Sequence, residues 1–190
     1  MKEGLIKDTY ELIIKELQTV ITISYIVTVG IGMLFNYHKY SEFGINIFDY
    51  SDIFDFLIAP FSDGTILLFA MASVTIVFLF VQLDLTWEKK WPKSYSRLNF
   101  GGNKKSWYKT YRIIVFTVTF ILYLFIASEY YGRYTKDKIM KRDNISIRLE
   151  DNEIRSGKLI GKTKDVIFIL NNKSVYAIPI SSSVKEVQVK

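Results

Sequence analysis

Three stretches of the chain contain no Asp, Glu, Lys, Arg or His, and the charged residues crowd the segments between them. The first runs from Leu17 to Tyr37, LQTVITISYIVTVGIGMLFNY. The second runs from Gly64 to Leu83, bounded by Asp63 and Asp84. The third, Ile113 to Ser128, reads IIVFTVTFILYLFIAS. An α-helix rises 1.5 Å per residue, so about 20 apolar residues cross a hydrocarbon core of about 30 Å. The first two windows meet that length. The third is short, but Arg112 can snorkel at one end, and Tyr130 and Tyr131 extend the other at headgroup level. The pattern predicts three transmembrane helices, at about 17–37, 64–83 and 112–131. The alternative for the third is a buried core helix of a soluble domain.

The flanking segments follow other periods. Residues 1–16 place Leu5, Ile6, Thr9, Leu12, Ile13 and Leu17 near one helical face, which predicts an amphipathic surface helix leading into the first span. Glu3, Asp8, Glu11 and Glu16 in that stretch, with no small-x-small site after the window, argue against a cleaved signal peptide. Residues 132–143 read as a basic linker. From Asn144 the pattern alternates. Ile145, Ile147 and Leu149 make a first strand, and Asp151–Asn152 a turn. Ile154–Ile160 follows as a second strand, with Gly157 and Gly161 suited to bends. Val166–Leu170 is apolar enough to be buried on both faces. Asn171–Asn172 turns the chain into Val175–Ile180, and Ser181–Ser183 makes a tight turn before Val184–Val189. The expected fold class is an α-helical membrane bundle of three transmembrane helices followed by a small all-β, SH3-like or Sm-like barrel over 144–190. So small a domain buries too little to stand alone comfortably. It is expected to pack against the membrane domain or against sister copies.

Composition sharpens this picture. The chain is 49% hydrophobic, 16% aromatic and 23% charged, with a net charge of +6. A charge at the bilayer centre costs about 2.5–3.5 kcal/mol or more, which explains the segregation. The absence of cysteine excludes disulfides and thiolate metal sites, and the single histidine, His38, excludes a two-His motif. Most of the excess positive charge sits beside the spans, so it reads as membrane electrostatics and not as a nucleic-acid footprint. Between the second and third windows lie Lys89, Lys90, Lys93, Arg97, Lys104, Lys105, Lys109 and Arg112. With the N-terminal Lys2, Lys7 and Lys15, that makes eleven basic residues on the N-terminal side of the membrane, against six that flank the spans on the other: Lys39, Arg133, Lys136, Lys138, Lys141 and Arg142. The positive-inside rule therefore favours a cytoplasmic N-terminus and a β domain outside.

Candidate chemistry is sparse. Asp49, Asp52 and Asp55 recur every third residue in the first loop and are weak candidates for a cation held by oxygen ligands; a solvated face is the plainer reading. Ser51 and Asp52 can cap a short helix ending before Pro60. In the second loop Lys89, Lys90, Lys93 and Arg97 interleave with Trp91, and Lys104, Lys105 and Arg112 with Trp107. Such mixing grips anionic headgroups, and membrane lipids are the expected partner. Within the spans, Gly30, Gly32, Ala70 and Ser73 suit close helix packing, while Thr22 and Thr28 suit interhelical hydrogen bonds or the lining of an oligomeric pore. No catalytic constellation and no cofactor site is legible.

Two runs together carry a resemblance. FGINIFDYSDIFDFLIAPFSD in the first loop, and GKLIGKTKDVIFILNN with VYAIP and VKEV near the C-terminus, resemble segments of small bacterial polytopic membrane proteins in which the parts stand in the same order. The resemblance implies the architecture above and transfers no activity. The functional expectation is a non-enzymatic scaffold or sensor of the bacterial inner membrane. Its spans would form a homo-oligomer and its β domain would bind a protein partner or ligand. The alternative is an oligomeric pore-forming or membrane-disrupting effector, for example in phage defence.

Overall fold

The computed structural model describes residues 2–188, with side chains from residue 16 onward. Helix α1 (Lys2–Ser41) is unbroken. The predicted amphipathic helix of residues 1–16 continues into the first span without a joint, and its side chains up to residue 15 lie outside the described residues. A 3-10 turn (Ile47–Asp49) and helix α2 (Ile53–Ser62) form the first loop. Helix α3 (Gly64–Lys90) returns, α4 (Pro92–Leu98) caps the second loop, and α5 (Tyr108–Met140) crosses again. Three helical segments are long and apolar enough to cross a membrane: Glu16–Ser41, α3 and α5, at 26, 27 and 33 residues. Only 11%, 17% and 11% of their apolar windows are buried inside the chain. A core helix of a soluble domain would be enclosed. These present apolar faces outward, as lipid-facing helices do.

Helix α5 is the hub of the bundle, packing against both α1 and α3, which scarcely touch each other. Its core partners include Phe35 of α1 and Ile66 of α3, closed around Leu124 and Tyr131. The stretch expected as a linker after Tyr131 is instead the last turns of α5. Tyr131, Thr135 and Ile139 recur every four residues and are buried, so one face has a core to join. The intervening charges point outward, where Arg133 pairs with Glu129 and Lys136 lies 3.1 Å from Glu42.

Helix α2 differs from expectation at its far end. Asp52 caps it as the sequence suggests: Asp52 Oδ1 accepts from the amides of Phe54 (2.8 Å) and Asp55 (3.0 Å). Asp55 Oδ2 accepts from the Asp52 amide at 3.1 Å, completing a capping box. The helix does not stop before Pro60 but runs through it to Ser62. Proline lacks an N–H and its ring crowds the carbonyl four residues earlier, here that of Phe56. That carbonyl is turned against α1 at Gly32, where a Cβ would lie 1.8 Å from the Phe56 oxygen. Only glycine leaves room for this approach. Gly32 thus serves helix packing, against α2.

The C-terminal strands are β1 (Ile145–Leu149), β2 (Ile154–Lys162), β3 (Val166–Asn171), β4 (Ser174–Pro179) and β5 (Val184–Gln188), with a one-turn helix α6 (Ile180–Ser183) before β5. All pair antiparallel in the order β4-β3-β2-β1-β5. Strand β2 is shared: its first half pairs with β1, its second with β3, and the register shifts between Leu159 and Gly161. The sheet's own core is Ile145, Ile147, Leu149, Ile167, Ile169 and Ile178. Strand β3 is buried on both faces, as its unbroken apolar run predicts. Ile167 and Ile169 face that core, whereas Phe168 joins Tyr40, Ile47, Phe56 and Ile139 of the bundle and first loop. The Phe168 ring stands edge-on to Tyr40 at 5.4 Å and to Tyr50 at 5.2 Å. The expectation that the β domain packs against the membrane domain therefore holds. The first loop and the β domain share one end of the bundle, and α4 lies at the other.

Candidate functional site

A cavity of about 1190 Å³ opens where the end of α1, helix α2, the start of α3, the end of α5 and the β2–β3 loop meet. Each wall has a local cause. The β2–β3 loop is folded by Thr163, whose Oγ1 accepts from the amides of Asp165 (3.3 Å) and Val166 (3.1 Å). It is fixed to the first loop by the Lys164 amide, which donates to Asp55 Oδ1 at 3.0 Å. Gly161, at the register shift in β2, lets the strand press onto α1: a Cβ there would lie 2.3 Å from the Tyr40 hydroxyl and 3.0 Å from Lys39 Nζ.

Asp63 sits at the joint of α2 and α3. Its Oδ1 accepts from the Thr65 amide at 2.9 Å, and its Oδ2 from the Tyr131 hydroxyl at 2.7 Å. Burial alone would raise the Asp63 carboxyl. The hydrogen bonds from Tyr131 and Thr65, and the nearby charge of Lys39, outweigh it and hold the group below its ordinary value. Asp63 is therefore an anion throughout the neutral range.

The charges around the cavity are unevenly satisfied. Asp52 is spent on the α2 cap, Asp55 on that cap and on Lys164, and Asp63 on Tyr131 and Thr65. Lys39, Lys138, Arg142, Lys162 and Lys164 line the same space, and among the described residues none of their side chains forms an ion pair. Lys39 is half-buried, its ammonium 5.0 Å from the centre of the Tyr40 ring. The arrangement offers a concave, cation-lined chamber with no nucleophile–base pair.

The sequence-predicted residues fall elsewhere or take other roles. Asp49 accepts from the Asn46 side-chain amide at 3.0 Å, apart from the capping box of Asp52 and Asp55. Among the described residues no group of three His, Cys, Asp or Glu side chains could hold a metal ion. Lys89, Lys90, Lys93, Arg97, Lys104 and Lys105 are exposed at the far end, as are Trp91 and Trp107. Arg112 turns inward instead of reaching for headgroups. Its Nη1 donates to Glu88 at 2.6 Å, and its Nε makes an ion contact of 2.9 Å with Asp84. Asp84 lies within α3 and needs a cation, which outweighs snorkelling. The Tyr95 hydroxyl, bonded to Asp84 (3.0 Å) and Tyr108 (2.8 Å), closes this network. Burial, then those hydrogen bonds, raise the Tyr95 phenol well above its ordinary range.

Ala70 and Ser73 are buried on α3, and Ser73 donates to the Phe69 carbonyl at 2.9 Å. Gly30 faces open space. The Thr22 and Thr28 hydroxyls donate back to the carbonyls of Gln18 (2.9 Å) and Ser24 (2.7 Å). Tyr131, expected at headgroup level, is fully buried, whereas Tyr130 is exposed. The cavity cations were not singled out from sequence. Lys39 was visible only as the one cation of the first loop, and nothing local ties it to Lys162.

Comparison with models of protein families, with curated proteins and with solved structures finds no match.

Proposed function

We propose that the chain is a non-enzymatic scaffold or sensor of the bacterial inner membrane. Its ligand site is the chamber shared by the bundle and the β domain. The observation that carries this reading is that one cavity is walled by α1, α2, α3, α5 and the β2–β3 loop together. An occupant touching all of them links the state of the bundle to the docking of the sheet, as ligand-dependent population shifts require. The strand order and the single helical turn before β5 support an SH3-like kind of domain. The basic residue tally supports a cytoplasmic N-terminus and a periplasmic β domain. Assembly into a homo-oligomer through the outward apolar faces belongs to the same proposal.

The test is native mass spectrometry on the full chain purified in mild detergent. The wild type should retain one small molecule per chain, released intact. Ser62→Trp, which fills the chamber from an exposed position, should lose it. Chemical turnover of the retained species, or its undiminished retention by Ser62→Trp, would overturn the reading.

A further inference from the structure

We infer that the occupant of the chamber is an anionic phospholipid, taken with its headgroup phosphate among the cations and an acyl chain along the wall that faces the bilayer. This rests on the binding role proposed above and specifies its ligand.

Two features of the chamber, on opposite sides, point to an amphiphile. On the polar side lie Lys39, Arg142 and Lys162, none with an ion pair among the described residues. Elsewhere at this end cations find carboxylates, as Arg133 does with Glu129 and Lys136 with Glu42. An unpaired, half-buried ammonium such as Lys39 is costly unless something supplies the anion. Asp63 lends Lys39 part of that charge from a distance, but among the described residues no carboxylate comes within ion-pair contact of it. A phosphate satisfies a Lys point charge and an Arg fork together.

On the other side the lining is apolar and open. Leu68, one turn inside α3, is 70% exposed, and Ile58 on α2 is 56% exposed. Leu68 lies within a membrane-crossing helix, so this wall continues onto the lipid-facing surface. A soluble phosphate-bearing anion would leave that wall unused. A phospholipid entering sideways from the bilayer covers it, with its acyl chain kept against apolar side chains. A chamber of about 1190 Å³ exceeds the usual 300–1,000 Å³ of a drug-sized pocket, in keeping with a headgroup and part of a chain.

The experiment measures retention by the full chain in detergent of two lipids added in equal amounts, dioleoyl phosphatidylglycerol and dioleoyl phosphatidylcholine. A parallel arm adds glycerol 1-phosphate as the free headgroup. The wild type should keep the anionic lipid at least tenfold over the neutral one. Lys39→Gln with Arg142→Gln should lower that preference to threefold or less. Lys173→Gln with Lys185→Gln, exposed on the β domain and outside the chamber lining, should leave it unchanged. Should the first double variant fail to fold, Lys162→Gln at the end of β2 with Lys164→Gln in the loop after it, both exposed, serves the same purpose. An equal preference for the two lipids overturns the inference. So does displacement of the anionic lipid by glycerol 1-phosphate at equal concentration, which would mark a site for a soluble anion. If Ser62→Trp still expels some other co-purifying molecule, the binding role stands and only the lipid assignment falls. If nothing co-purifies and neither lipid is retained, both fall.

Discussion

The two ends of the bundle handle charge in opposite ways. At the α4 end, Arg112 meets Asp84 and Glu88, Tyr95 bonds to Asp84 and Tyr108, and these charges are matched within the chain. Around the cavity at the β-domain end, Asp52, Asp55 and Asp63 accept from helix caps and backbone amides, and the cations that line the cavity form no ion pair among the described residues. A closed network fastens helices together, whereas an open one has capacity for something that is not part of the chain. On the proposed reading, the contrast separates an end built for cohesion from an end built for recognition, although both are rich in the same residue types.

The largest effect should come from a change that attacks the recognition end without touching a charge. Gly32→Val would drive a side chain into the Phe56 carbonyl, which has no room to retreat while Pro60 holds α2 as it is. Its unfolding in mixed micelles should show a loss of about 3 kcal/mol or more. Next, Arg112→Ala strands Asp84 and Glu88, both partly buried, and should cost roughly 1–3 kcal/mol. Adding Asp84→Asn should recover much of it; no recovery would mean that the network is not what holds α3 to α5.

A smaller effect concerns pH. Because the folded Asp63 carboxyl lies below its ordinary value of 3.8, its contribution is fully present above that value and is lost as pH falls through the lower folded one. Asp63→Asn should therefore flatten the acid limb of the stability profile below about pH 4. The smallest effect sharpens the comparison most. Lys39→Met removes a charge without an ion-pair partner, so stability should change by less than about 0.5 kcal/mol or improve, while retention of the anionic ligand falls. A destabilisation as large as that of Arg112→Ala would place Lys39 among the structural ions and end the contrast.

Much of the fold was legible because its signals are local. Uncharged windows mark the spans, and the alternation of Ile145, Ile147 and Leu149 marks the first strand within the small domain. The unbroken run at Val166–Leu170 even announced a strand with two buried faces. The extension of α5 was also written in the chain, in the spacing of Tyr131, Thr135 and Ile139. Neighbouring charges disguised it as a linker, since whether a charged helix folds depends on having something to pack against. Pro60 misled for a related reason: its cost is local, but Gly32, which gives the displaced carbonyl a place, lies 28 residues earlier. The chamber could not be read at all. Lys39, Asp63, Tyr131 and Lys162 come from four segments and meet only through the packing of the bundle and the docking of the sheet, so no window of sequence holds the pattern.

Helix α5 carries a mechanical consequence. It is one rod of 33 residues, about 50 Å long, of which the hydrocarbon core takes about 30 Å. The remainder walls the chamber with Thr135 and Lys138 and ends a few residues before β1. The tilt of a spanning rod depends on the thickness of the membrane around it, and on the proposed reading a change of tilt in α5 is carried past the bilayer to the chamber wall.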